Sequence, residues 1–295
     1  MNEGRSPAFY ALAAFFCLFV LFMYGPTIVI FILSFQGPTG GLTFPLRGLS
    51  VHWFDKLWQG GGIVNIWGAF GRSLALGVVV MILTVVLSLL AGLAFRKRFR
   101  GSNLLFYVTI ASLIVPSIVT SLGIALEFRL IDDLIKKHGP AWIASGFQTS
   151  MGNFTSGLGA HLTWTLPFGL LVMFAIFNRF DSRYEEAARD LGATPWQTLR
   201  HVILPIILPS LVGVALFGFT LSYDEIARTS QSVGALNTLP LELEAMQTNA
   251  TTPVIYALGA MTTGLSLLVI ATALVAMLVV RRRRARYGSD AGQAV

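Results

Sequence analysis

YEEAARDLGATPWQTLRHVILPIILP, Tyr184 to Pro209, is the longest strongly polar stretch of an otherwise apolar chain, and its reading decides the fold. Glu185-Glu186-Ala187-Ala188-Arg189-Asp190-Leu191 has a helical pattern. Gly192 interrupts it, and Pro195 stands where a second helix would begin. The second piece runs through Trp196, Leu199 and Val202 and turns apolar at Leu204-Pro205. Hydrophobic runs on both sides place the segment at one face of a membrane. The expectation is a helix, a glycine turn and a second helix that together make a rigid knob, a shape suited to docking against another protein.

Composition supports that setting. The chain has 295 residues, of which 55% are hydrophobic and 12% charged, whereas a soluble domain carries about 25% charged residues. A soluble protein this apolar would expose large adhesive patches, so the chain reads as an integral membrane protein with lipid as a partner. The net charge of +7 does not point to nucleic acid, because the basic residues flank hydrophobic runs. Cys17 is the only cysteine, which excludes a disulfide within the chain and a cysteine-based metal site. His52, His138, His161 and His201 show no metal-ligand spacing and read as loop or interface histidines.

A helix needs about 20 apolar residues to cross the bilayer. Six segments qualify: Tyr10–Phe35, Trp67–Phe95, Leu104–Leu126 (interrupted by Pro116), Leu158–Phe177, Pro205–Tyr223 and Val254–Val280. The first is too long for a signal-peptide core of roughly 7–15 residues and reads as a retained span. The expected fold is all-α, a polytopic membrane protein with six transmembrane helices. It comprises an N-terminal segment 1–9, a six-span transmembrane domain 10–280 containing the polar loop 180–204, and a basic tail 281–295. With six spans, both termini share one side. That side receives Arg5, Arg96, Lys97, Arg98, Arg100, Arg179, Arg183, Arg189, Arg200, Arg281, Arg282, Arg283, Arg284 and Arg286, which is 14 basic residues. The other side receives Arg47, Lys56, Arg72, Arg129, Lys136, Lys137 and Arg228, which is 7. The bias makes the side with the termini and the knob cytoplasmic. On the other side, Glu127–Lys137 has helical apolar spacing and is expected to lie along the interface as an amphipathic helix. The tail after Arg286 is expected to be disordered.

At this point the residues carry a resemblance. Glu186-Ala187-Ala188, three residues, Gly192, nine residues, Val202, one residue, Leu204-Pro205 resembles the EAA loop of ABC importer permeases, with Val202 in place of isoleucine. Phe219-Thr220-Leu221-Ser222-Tyr223-Asp224-Glu225 and Thr238-Leu239-Pro240-Leu241 are similar to the spermidine/putrescine permease class, especially the second of its two permease subunits. The resemblance implies an inner-membrane subunit with the type I permease fold that performs no chemistry itself. It also implies a second permease, a different chain, together with two cytoplasmic ATPase subunits and an extracytoplasmic solute-binding protein. Glu185, Glu186, Ala187, Ala188, Gly192, Leu204 and Pro205 would then form the ATPase-coupling element, with Glu186 contacting the ATPase and Gly192 supplying the turn. ATP and magnesium would bind the ATPases, and no cofactor is expected here. The chain lacks a G-x(4)-G-K-[ST] phosphate loop, so it is not the motor.

Ionisable residues next to membrane depth are functional candidates. Asp224 and Glu225 follow the fifth span beside Tyr223, an arrangement suited to an ammonium cargo through charge pairing and cation–π contact. The other reading of the pair is interfacial charges partnered with Arg228. Trp164 is a further candidate for the substrate path, with Thr165 and Ser73 weaker ones; Glu242 and Glu244, after Leu239-Pro240, read as part of an outer gate or as an exposed loop. Rival functions are a family member carrying an amino-acid derivative or a phosphonate, an ATPase-independent secondary transporter, and an intramembrane enzyme. The spans are almost uncharged and show no paired Asp, Ser/Lys or His-rich constellation, which disfavours the last two.

Overall fold

The structure is a computed structural model that describes residues 6–60, 65–97, 99–249 and 252–286. Among these residues the chain is helical, with an isolated antiparallel bridge between Gln36 and Leu49 as the extended pairing. In chain order the helices are α1 (Pro7–Leu33), α2 (His52–Trp58), α3 (Ile66–Phe95), α4 (Ser102–Ala111), α5 (Ser117–His138), α6 (Ala141–Ala144), α7 (Leu158–Arg179), α8 (Arg183–Asp190), α9 (Pro195–Thr198), α10 (Leu204–Tyr223), α11 (Leu239–Asn249) and α12 (Val254–Arg286). Single π-helical turns, Asn153–Gly157 and Leu199–Ile203, lead into α7 and α10.

Five stretches among the described residues are long and apolar enough to cross a membrane: Pro7–Leu33, Ile66–Phe95, Asn153–Arg179, Pro195–Tyr223 and Val254–Thr272. The expected third span, Leu104–Leu126, is not one helix. It is α4, a turn over Ser112–Pro116, and α5, and neither helix is among those five stretches. Pro116 explains the break. It has no N–H to donate and disfavours helical backbone at Val115. The turn closes with short-range bonds instead, from Leu113 N to Ile110 O (2.9 Å) and from Ile114 N to Ala111 O (3.0 Å). Glu127–Lys137 is likewise no separate interfacial helix but the second half of α5. Its Asp132 is buried, accepting hydrogen bonds from Thr149 Oγ1 (2.6 Å), Ser150 N (2.7 Å) and Ser150 Oγ. Arg5, Arg98 and the polar tail after Arg286 lie outside the described residues; α12 itself continues through Arg281–Arg286.

The chain forms two compact units, Met1–Ile66 with Leu243–Leu267, and Trp67–Glu242 with Leu268–Val295. In the first, the loop after α1 is held by the fully buried Gln36. Its Oε1 accepts from Arg47 N (2.7 Å), and its Nε2 donates to Gly41 O and Thr43 O (both 3.3 Å). Tyr256 of α12 closes the same loop by donating to Leu42 O (2.7 Å).

The second unit carries the polar loop. Its core joins Met173, Ile176, Phe177 and Phe180 from α7 and its end to Ile203, Ile207, Leu211 and Val214 from α10 and the turn before it; Val85, Leu89 and Leu93 of α3 pack against them. Lipid tails are as apolar as these side chains, so association must come from close backbone approach and interhelical hydrogen bonds. Both are present. Thr84 Oγ1 of α3 and Thr165 Oγ1 of α7 lie 2.7 Å apart in a buried hydrogen bond. A Cβ on Gly169 would come within 2.8 Å of Ser88 Cβ, and one on Gly92 within 2.8 Å of Met173 Cβ. A Cβ on Gly213 of α10 would meet nothing within 4 Å. Gly169→Ala and Gly92→Ala should therefore each lower stability by about 1–3 kcal/mol through overpacking, and Gly213→Ala should not. Thermal unfolding of the purified protein in detergent checks this, and equal midpoints for all three would contradict the close-packed interface.

Candidate functional site

The polar loop is built as the sequence implies. α8 ends in a Schellman arrangement: Gly192 has φ +81°, Ala193 N donates to Ala188 O (3.0 Å) and Gly192 N donates to Arg189 O (2.8 Å). The left-handed conformation costs an L residue roughly 1–2 kcal/mol, which is the physical reason for glycine there. α9 then starts in a capping box. Thr194 Oγ1 accepts from Gln197 N (3.3 Å) while Gln197 Oε1 accepts from Thr194 N (2.8 Å). Two helices fixed at both sides of a tight turn make a stiff projection.

Its residues divide by direction. Glu186, Ala187 and Gly192 are exposed, and Ala188 is half-buried. Leu191 is 90% exposed and Trp196 64% exposed, so two large apolar side chains stand out on a polar loop. Glu185 turns the other way. It is buried, paired with Arg96 at the end of α3 and with Arg189 at 3.6 Å. Leu204 and Pro205 are half-buried where α10 begins, with Leu204 packed against the α7–α10 core.

At the other end of α10, twenty residues and about 30 Å away, the chain turns back through residues 224–238. Tyr223 is buried, its ring stacked on Phe219 (5.6 Å between centroids, 16° between planes), and its hydroxyl has no hydrogen-bond partner. Asp224 is exposed and Glu225 half-buried. Glu225 holds the turn together. Its Oε1 accepts from Arg228 N (2.8 Å), and its carbonyl accepts from Thr229 Oγ1 (2.7 Å). Asp224 forms no ion pair among the described residues. Two carboxylates that are alike in sequence thus split, one engaged in the turn and the other open.

Arg228 is the centre of this end, although the sequence suggests it only as a charge partner. It is fully buried. Its Nη2 donates to Ser112 O (2.9 Å) in the turn between α4 and α5, its Nη1 to Thr163 Oγ1 of α7 (2.5 Å) and its Nε to Ser117 Oγ at the start of α5 (3.3 Å). The guanidinium lies over the ring of Trp164, 4.8 Å from the centroid. Its carbonyl accepts from Ser121 Oγ and Ser232 Oγ, both at 2.7 Å. His161, one turn before Thr165 on α7, joins the same network. Its Nδ1 lies 2.7 Å from Ser222 Oγ and its Nε2 2.9 Å from Thr229 Oγ1. His161 is therefore a buried span residue and not a loop histidine. Ser73 and Thr165 also serve packing: Ser73 Oγ accepts from Leu239 N (2.8 Å), and Thr165 bonds Thr84. Glu242 is buried and Glu244 exposed. One sequence signal for the network was available, an arginine five residues beyond the end of the span Pro205–Tyr223, since charges near membrane depth are rarely idle. Among the described residues no group of three or more His, Cys, Asp or Glu side chains could hold a metal ion.

Removing the guanidinium strands several buried acceptors. Arg228→Ala should lower stability by on the order of 3 kcal/mol. Arg228→Lys, which keeps the charge but not the planar fork, should fall between wild type and Ala. Thermal unfolding checks the order, and a wild-type midpoint for Arg228→Ala would contradict it.

A family model described as "Binding-protein-dependent transport system inner membrane component" matches residues 84–286. The chain is 29% identical over 261 residues to the spermidine/putrescine transport system permease protein PotC of Haemophilus influenzae, covering 88% of this chain and 93% of that protein. It is 28% identical over 246 residues to the putrescine transport system permease protein PotI of Escherichia coli, with 82% of each chain covered. Among solved structures, its fold is similar to a chain of a bacterial ABC transporter involved in import of the acidic polysaccharide alginate (TM-score 0.55, 18% identity, covering 98% of this chain and 100% of that one). It is also similar to a chain of the MetNI methionine ABC transporter in an inward-facing conformation (TM-score 0.54, 19% identity, covering 79% and 99%). The matched region holds the knob, α10 and the Arg228 network, and the chain belongs to the binding-protein-dependent transport system inner membrane components, as an ABC importer permease subunit.

Proposed function

We propose that this chain and a second, different permease chain enclose the path of an importer for a polyamine such as spermidine or putrescine. Two ATPase subunits drive it from the knob 180–204, and an extracytoplasmic binding protein delivers the cargo. ATP and magnesium bind the ATPases. Both termini and the knob face the cytoplasm, in keeping with the 14-to-7 distribution of Lys and Arg.

The observation that carries the coupling role is the exposure of Glu186, Leu191 and Trp196 on one stiff projection. Apolar side chains at the centre of a patch with a charged residue beside them are the composition of a protein contact, and a soluble ATPase can reach this end. The cargo reading is supported by the names of the relatives and by Asp224. The faces of Trp164 and Tyr223 are engaged by Arg228 and Phe219, which leaves the Asp224 carboxylate as the group free to meet an ammonium.

Two outcomes are expected. Glu186→Ala and Trp196→Ala should each reduce co-purification of the ATPase with the permease pair, because hot-spot truncations cost about 2 kcal/mol or more; undiminished co-purification of both would contradict docking at the knob. Asp224→Asn should reduce uptake of putrescine about tenfold, the equivalent of one lost charge contact of ~1.4 kcal/mol, while the complex still assembles. Uptake at the wild-type rate would remove Asp224 from the path.

A further inference from the structure

Arg96 lies at the turn that follows α3, and the side chain it meets belongs to α8, on the far side of the α7 chain end. Its guanidinium is paired with the Glu185 carboxylate and lies over two aromatic rings, 5.1 Å from the centroid of Phe177 and 5.4 Å from that of Phe180. The contact with Glu185 is one of charge: the Oε1 atom that faces Arg96 is buried and makes no aligned hydrogen bond. Arg189 adds a second, more exposed cation at 3.6 Å from the other carboxylate oxygen. The pair is largely out of water, with side-chain exposures of 23% for Arg96 and 11% for Glu185, so solvent and salt screen it less than a surface pair.

The connectivity gives the pair its meaning. α8 is joined by the chain to α7 on one side, through Phe180-Asp181-Ser182, and to α9 and α10 on the other. It has no chain connection to α3. Among the described residues, the other two ion pairs of the loop stay inside it, Arg183 with Asp181 and Arg189 with Glu185. The Arg96–Glu185 pair is the one that leaves it. The adjacent Glu186 points to solvent, so the two glutamates of the loop face opposite ways, one outward from the molecule and one onto its own second span.

We propose that Arg96 is a positioning residue for energy coupling, tying the knob to α3 through Glu185 so that a displacement of α8 moves α3 directly. The inference rests on the knob being the ATPase-coupling element. A rigid-body shift of the knob then reaches three spans together: α7 and α10 through the chain and α3 through the ion pair. Without the pair, α3 follows only through its packing against the α7–α10 core and the Thr84–Thr165 hydrogen bond, and part of the motion is lost.

The test uses the assembled importer, with both permeases, the ATPases and the binding protein, in proteoliposomes. It reads ATPase co-purification, putrescine-stimulated ATP hydrolysis, and putrescine transported per ATP hydrolysed. Arg96→Ala should retain the ATPase and hydrolyse ATP but transport about fivefold less or worse per ATP, the low end of site-to-site coupling. Arg96→Lys should recover most of the loss. The exchange Arg96→Glu with Glu185→Arg should transport more per ATP than either single variant. If Arg96→Ala does not assemble, the exchange decides: recovery of assembly and coupling supports the tie, and no recovery overturns it. Wild-type transport per ATP in Arg96→Ala overturns it as well. Failure of the wild-type chain to retain the ATPase would instead overturn the coupling role of the knob, leaving the two ideas separately testable.

Discussion

Arg228 carries a positive charge on a side chain fully buried within the protein, and the surrounding residues of α5, α7 and the turn before α5 are arranged to meet its donors. The bilayer core offers no water to backbone groups freed by a broken helix, and the apolar stretch Leu104–Leu126 is broken at Ser112–Pro116. Each problem answers the other. The guanidinium takes the Ser112 carbonyl, the Thr163 and Ser117 hydroxyls and the Trp164 ring, so the break is satisfied by the charge and the charge by the break. Irregular backbone at membrane depth is tolerated where protein covers it or where it lines a path. Here it fixes the segment after α10 against α5 and α7.

α10 links that end to the knob. It follows the π-helical turn after α9 and ends at Tyr223, next to Asp224, so the loop proposed for coupling and the carboxylate proposed for cargo lie at the two ends of one helix. Close contact at Gly92 and Gly169 holds α3 against α7, while the shared apolar core holds α7 against α10. Packed interfaces of this kind move as bodies and not by gradual deformation. A transporter that receives its motion from outside the membrane requires that property.

Much of this was legible in the residues. Gly192 and Pro195 marked the turn and the second helix of the knob because backbone conformation is a local matter. The apolar runs marked the spans because length and hydropathy are local too. Pro116 was visible as an interruption, but not that it splits the span into two helices. Beyond a charge close to the end of a span, the Arg228 network was not legible. Its partners lie up to 116 positions away and are hydroxyls and a carbonyl, which leave no motif in a sequence. Glu185 and Glu186 looked equivalent as neighbours. A helix sends adjacent side chains about 100° apart, and only the position of Arg96 decides which one turns inward.

The central claim is that this chain moves a polyamine by borrowing ATP-driven motion through the knob. Flux into proteoliposomes tests it most directly, with the complete complex in the membrane, the binding protein and labelled putrescine or spermidine on one side and ATP on the ATPase side. The account predicts accumulation that requires ATP, the binding protein and an intact knob. Accumulation by the permease pair alone, without the ATPases, or ATP-dependent uptake that ignores polyamines in favour of another solute, would contradict it.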